Sequence, residues 1–413
     1  MIVKKMRIRR IFATNSKPTI EVELRTNKGT AISQVPIGTS TGSHEAVSLP
    51  VDDAIRKFSM VSRYFSTNEF HNQEDVDDTL RSMDKSGNFR DIGGNVALGI
   101  SSAFLKAFAM GEKLELFEYI YGSVSQQRKR GGEGVSKPNM PMPICNMVGG
   151  WKGQNRNMQS SVQEFLLLPV TQKSFSENIT RMMDAYHVIG NQLENEDPGF
   201  NYGKNLESAW VTGLQTDEIL RMMSRVASQN MFKIGMDVAA TNIWERTHYV
   251  YTRRNEYGEE VSEKLLRTEQ LNYMEELVRR FGVAYVEDPF EEEDFISHST
   301  MNQHLSPKDV LVCGDDLYAT NAGRLEMGIG HKSTNCVIVK PNQAGTITDT
   351  IRFAEAARKA GMKTVMSHRS GDTEDTLVCH LAIGLGCDYV KFGTSGERVA
   401  KLNEMIRIED AMV

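Results

Sequence analysis

Six short apolar runs in the second half of the chain each end on a charged or ionisable residue. Phe232–Met236 leads to Asp237, Val283–Val286 to Glu287, Val310–Gly314 to Asp315, Val337–Val339 to Lys340, Thr364–Ser367 to His368 and Asp388–Val390 to Lys391. From Glu287 onward these end residues recur roughly every 23 to 28 positions, the length of one strand and one helix. The longer interval before Glu287 holds the insertion Arg253–Gly258 and then a helical pattern over Thr268–Phe281. Such a series predicts a parallel α/β barrel, whose chemistry collects at the carboxyl ends of its strands. An open doubly wound sheet is the alternative, and no G-x-G-x-x-G opens a βαβ unit to support it.

The first third has a different rhythm. Met6–Phe12, Thr19–Thr26 and Gly29–Pro36 are strand-like runs separated by turn residues, which predicts an antiparallel meander. Val51–Phe65, Gln73–Met83 and Asn95–Ala109 follow with apolar residues at helical spacing. Strands followed by helices make an α+β domain. Between them Ile37–Ser43 is small and hydroxyl-rich, as in an anion-contacting loop or a plain surface turn. The polar, Gly- and Pro-containing stretch Gly122–Pro143 marks the expected domain boundary. A cut near 135 divides the 413 residues into an N-terminal α+β capping domain, 1–135, and a C-terminal α/β barrel, 136–413.

Composition removes several classes of partner. A net charge of -6 offers no general attraction to nucleic acid or anionic membrane, so a phosphate would be held by a local site. The five cysteines are scattered, with no C-x-x-C, which fits reduced core residues of a cytoplasmic protein. Met1–Arg10 is basic without a following apolar segment, and no apolar run approaches a membrane span, so neither a signal peptide nor a spanning helix is expected. The expected partner is a small molecule.

Asp237, Glu287 and Asp315 at one barrel mouth would repel one another by several kcal/mol without a cation between them. Each acid alone would pass for a salt-bridge or capping residue; three at equivalent strand ends fit hard oxygen ligands for Mg²⁺. Lys340, placed after three β-branched residues and before Pro341, is a proton-accepting base, an anion contact or a lysine snorkelling to the surface. With His368, Arg369 and Lys391 it forms a cationic half suited to a substrate bearing both carboxylate and phosphate. A metal on one wall and a lysine on the other suit removal of a proton next to a carboxylate.

Nine short strings, in order, carry a family resemblance. They are Gly38–Glu45, Gly94–Ser101, Gln163–Phe165, Gly235–Ala240, Val286–Phe290, Gly314–Leu317, Lys340–Gln343, Ser367–Gly371 with Glu374–Thr376, and Ala400–Asn403 with Arg407–Glu409. Together they resemble the enolase family, itself a standard example of a lysine base working with Mg²⁺. The resemblance implies reversible, Mg²⁺-dependent dehydration of 2-phosphoglycerate to phosphoenolpyruvate in glycolysis and gluconeogenesis. By it, Asp237, Glu287 and Asp315 hold the first of two Mg²⁺ ions, and Ser40 reaches the second, which enters with substrate. Lys340 removes the C2 proton, its pKa depressed by Mg²⁺ and Lys391. Arg369 and Ser370 bind phosphate, Lys391 the carboxylate, and His368 lines the side from which hydroxyl leaves. Gln163 is placed among the substrate contacts and Glu164 among the catalytic groups. A homodimer, or an assembly of dimers, is the implied state.

Four departures fall mainly on the acid side. Where the family has Gly-Asp-Glu-Gly-Gly-Phe, the string Asn195–Phe200 offers Asp197, or Glu196 one place earlier, as the proton donor. Aspartate is a methylene shorter, and a reach error near ~1 Å can cost ~100-fold in rate. Trp151-Lys152 replaces the family's histidine, making Lys152 the expected substrate contact there. Ala13–Ser16 and Thr394–Arg398 also depart from family strings. Two other functions fit parts of this pattern: a lyase or transferase acting on another phosphorylated or phosphonate carboxylate, and a non-catalytic paralogue serving as a binding partner. Retention of Lys340 and all three carboxylates argues against the second, because a scaffold gains nothing from burying them.

Overall fold

A computed structural model describes residues 1–38, 42–134, 137–150, 160–171, 173–254 and 259–412. Strands Val3–Phe12, Pro18–Thr26 and Thr30–Gln34 form the expected antiparallel meander in sequential order. Ile20, Val22 and Leu24 of its central strand are buried. Helix Gly94–Glu112 packs against them closely enough that a Cβ on Gly99 would stand 2.8 Å from Val22 Cγ2. Helices Val51–Thr67 and Gln73–Met83 complete the pattern read from the sequence.

The stretch expected to mark the domain boundary, Gly122–Pro143, begins inside a helix, Leu116–Arg130. Its polarity belongs to one exposed face. Phe117, Ile120 and Val124 form a buried stripe at three-to-four spacing. That stripe packs on barrel helix Leu377–Leu385, where Gly384 faces Ile120. Arg128 at the basic end pairs with Glu355 at 2.6 Å and donates to Leu385 O at 2.8 Å. The expected cut near 135 falls on 135–136, outside the described residues.

Eight strands close the barrel: Met142–Gly149, Glu164–Pro169, Phe232–Asp237, Val283–Glu287, Leu311–Gly314, Cys336–Val339, Lys363–Ser367 and Tyr389–Lys391. The last pairs back onto the first, Tyr389 opposite Met142 and Lys391 opposite Ile144. Six strand ends lie where the apolar runs placed them. The ring is not wholly parallel, however. Glu164–Pro169 runs antiparallel to both neighbours. A parallel return needs a crossover, usually a helix, and among the described residues of 150–163 there is none, so the chain turns back on itself. Helices Phe175–Glu196 and Thr216–Asn230 then both precede the third barrel strand. Consequently Gln163 and Glu164 reach the rim formed by the other strands' carboxyl ends from a strand's amino end.

Ile144, Leu166, Leu168, Tyr285, Cys313, Cys336, Ile338 and Val365 form a compact buried cluster. All five cysteines are buried and free. The long interval before Glu287 contains a hairpin, His248–Arg254 with Glu260–Leu265, ahead of helix Arg267–Phe281.

Candidate active site

The barrel rim delivers Glu164, Asp237, Asp315, Lys340, His368, Arg369, Ser370 and Lys391 to one cleft, with Gln163 and Glu207 also on its wall. Glu287 lies fully buried against the same group. Lys391 Nζ is 2.8 Å from Glu164 Oε2, Asp237 Oδ2 and Glu287 Oε2. Tyr285, one strand pleat below, donates its hydroxyl to Glu287 Oε2 at 2.6 Å.

One lysine does not neutralise three buried acids. Burial, then repulsion from Glu207, raises Glu164 to about 8. Burial and Asp237 likewise raise Glu287 to about 8, and burial lifts Asp237 itself to about 6 against the pull of Lys391. The same charges hold Lys391 well above an ordinary lysine although burial opposes them.

Lys340 ion-pairs with Asp315, whose other oxygen accepts from Gln343 Nε2 at 3.0 Å. Burial would raise Asp315, but Lys340 outweighs it and the carboxyl stands low. Burial, Arg369 and Lys391 press the Lys340 pKa down, yet Asp315 and Glu287 overcome them and it stands above the ordinary value. Lys391 acts in the expected direction, but the direct contact with Asp315 outweighs it. His368 falls well below its usual value through burial and the charges of Arg398 and Lys391, so its imidazole is neutral.

The acidic wall fits a hard divalent cation. Glu287 Oε1 is buried without a hydrogen-bond partner, an oxygen left over inside a cluster of carboxylates. Asp288, Asp315 and Asp316 are a tighter trio, their oxygens within 4.8 Å. Asp288, however, accepts from the backbone N–H groups of Asp315 and Asp316 at 2.9 and 2.7 Å. It therefore clamps the turn that aims Asp315 into the cleft. On the cationic side Arg369 Nη1 is 2.9 Å from Glu45 Oε1, which also accepts from Gly42 N at 3.1 Å. These contacts tie the loop that follows the meander to the barrel rim.

Family comparisons decide what this rim belongs to. The enolase C-terminal TIM barrel domain matches residues 137–413, and the enolase N-terminal domain matches residues 3–120. The chain belongs to the enolase family. It is 34% identical over 414 residues to a protein named enolase from Methanocorpusculum labreanum, covering 98% of each chain. Enolase from Archaeoglobus fulgidus is 34% identical over 421 residues, covering 100% of this chain and 98% of its own. Enolase from Haloarcula marismortui is 35% identical over 424 residues, covering 100% of both. Enolase membership makes the chain a lyase of the phosphopyruvate hydratase type.

Neither residue expected to serve as the enolase acid reaches the cleft. Asp197 is buried at the end of helix Phe175–Glu196, accepting from Thr212 Oγ1 and Gly213 N at 2.7 Å and from Gly199 N at 2.9 Å. Glu196 lies on the last turn of that helix, paired with Arg225. Glu207 occupies the cleft wall instead and shares a hydrogen bond with Glu164. Burial would raise Glu207, but that bond and the charges of Arg398 and Lys391 hold it low. The missed signal was Glu207-Ser208-Ala209-Trp210, a glutamate before two small residues and an aromatic, like the family's Glu-Gly-Gly-Phe. Ser208 has φ 63°, the left-handed conformation a glycine would favour. Ser40 and Lys152 lie outside the described residues.

Proposed function

We propose that the chain interconverts 2-phosphoglycerate and phosphoenolpyruvate with Mg²⁺. The observation that carries this reading is one cleft holding Lys340 on its cationic side and the hydrogen-bonded Glu164–Glu207 pair on its acidic side. Asp237, Glu287 and Asp315 would hold Mg²⁺. When bound, it supplies positive charge beside the substrate carboxylate and takes up the Asp315 charge that otherwise retains the proton on Lys340.

Lys340, as the free amine, accepts the C2 proton, and the C–H electron pair passes into the carboxylate. Lys391, Arg369 and Ser370 orient the two anionic groups of the substrate, with Gln163 on the cleft wall. The C3–O bond then breaks as the Glu164–Glu207 pair gives up its proton, so hydroxide leaves as water. Glu164, raised to about 8, keeps a proton near neutrality, while Glu207, held low, can orient it by accepting its hydrogen bond. Neutral His368 lines the same cleft. Burial of all five free cysteines is consistent with a cytoplasmic location, and no helix among the described residues is long and apolar enough to cross a membrane. A homodimer working in glycolysis and gluconeogenesis completes the reading.

Incubation of the full chain with 2-phosphoglycerate and Mg²⁺ tests it through the absorbance of the enol phosphate. Product should accumulate and its formation should stop with chelator. A folded sample that forms none overturns the reading.

A further inference from the structure

The acid-bearing loop and the anion-binding loop come from distant parts of the chain, yet one side chain ties them together. Arg398 is 1% exposed. Its Nη2 donates to Leu206 O at 3.1 Å, immediately before Glu207, and to Ser370 O at 2.7 Å. Its Nη1 donates to Arg369 O at 2.8 Å and lies 3.2 Å from His368 Nδ1. Three carbonyls from two walls of the cleft thus converge on one planar donor group, whose fork fixes their separation.

The segment leading to Arg398 grips the other side of the same loop. Ser208 O accepts from Tyr186 Oη at 2.6 Å and from Ser395 Oγ at 3.0 Å. Gly393, at φ 79°, leaves so little room that an added Cβ would lie 3.2 Å from Arg398 Cγ and 3.5 Å from Glu207 O. The carbonyls on both sides of Glu207 are therefore held from the 393–398 segment and Tyr186. The geometry points to Arg398 as a positioning residue that sets the distance between Glu207, which orients the proton on Glu164, and the bound phosphate, without itself touching substrate. The guanidinium also contributes to holding Glu207 low, which accords with that placement. This inference rests on the proposed dehydration and adds the device that aligns its second half.

Removing the clamp should separate the two halves of the reaction. Proton abstraction depends on Lys340, whose strand does not touch Arg398 among the described contacts, whereas departure of water depends on Glu207. On the full chain with Mg²⁺ and saturating 2-phosphoglycerate, two rates are read from each sample: C2-proton exchange with solvent deuterium and phosphoenolpyruvate formation. Arg398→Lys keeps the charge but loses the fork; it should lower dehydration about 30- to 100-fold, as for a misplacement near 1 Å, and leave exchange within about 3-fold. Tyr186→Phe, which loses only the hydroxyl on Ser208 O, should give the same split at about 3- to 10-fold and covers the case in which Arg398→Lys does not fold. Parallel loss of both rates, or no loss of dehydration beyond about 3-fold, overturns the inference. A wild-type chain that forms no phosphoenolpyruvate overturns the underlying reading instead, and is recognised before any variant is compared.

Discussion

Glu207 and Asp197 are both buried acids a short way apart in sequence, and their surroundings give them different work. Glu207 faces a second carboxyl across a hydrogen bond, so its replacement should act on chemistry. Glu207→Gln is expected to lower dehydration about 100- to 10,000-fold while C2-proton exchange persists, measured as the ratio of the two rates. Asp197 instead satisfies two backbone N–H groups and one hydroxyl. Asp197→Ala should remove about 2–4 kcal/mol of stability, read from urea unfolding, with a far smaller effect on the rate ratio than Glu207→Gln. The difference explains what could be read beforehand. Asp237, Glu287, Asp315, Lys340, His368 and Lys391 each punctuate an apolar run, so periodicity exposes them. Glu207 sits in an irregular loop with no period, and its neighbours Ser208 and Ala209 replace the two glycines that would have flagged it.

Direction is harder to read than existence. Phe165–Leu168 is a continuous apolar run, and a strand buried on both faces looks the same whichever way it runs, so the antiparallel course of Glu164–Pro169 was not legible. The helix Leu116–Arg130 was obscured for another reason: its apolar stripe is narrow and its last turn is basic, which resembles a polar connection. That helix now carries a packing prediction. A Cβ added at Gly384 would lie 2.5 Å from Ile120 Cβ, with Phe117 O at 3.2 Å, so the two helices would have to separate. Gly384→Ala is expected to cost about 1–3 kcal/mol in chemical denaturation, with faster proteolysis within 116–130 than in the wild type.

The two domains are joined by buried polar contacts near the rim. Lys106 pairs with Asp375 at 2.7 Å, and Asp375 also accepts from Gln34 N at 2.8 Å. Asp77 accepts from Thr348 N at 2.8 Å and from its hydroxyl at 2.6 Å. Burial would raise the Asp375 pKa, but Lys106 and the backbone donors hold it below the ordinary value. A depressed carboxyl contributes stability above its unfolded pKa, near 3.8, and loses it as pH falls through the lower folded value. Melting temperature should therefore decline on acidification below about pH 4. Asp375→Asn should start lower near neutrality and decline less steeply over that acid range, in paired thermal scans. Two domains and a barrel could be anticipated from runs of strands and helices; these clamps could not, because each joins residues hundreds of positions apart with no local pattern.

Closure of the ring by Tyr389–Lys391 against Met142–Ile144 has a consequence for the order in which the molecule comes into being. The first barrel strand is synthesised early and the last very late, so that edge stays unpaired through most of translation. Glu164, Asp237 and Glu287 each wait for the ammonium of Lys391, which arrives on the closing strand itself. Assembly of the electrostatic centre and sealing of the barrel are thus a single late event. A nascent chain stopped short of that strand has neither a closed ring nor a compensated acidic wall, and the lyase cannot begin work before it has finished folding.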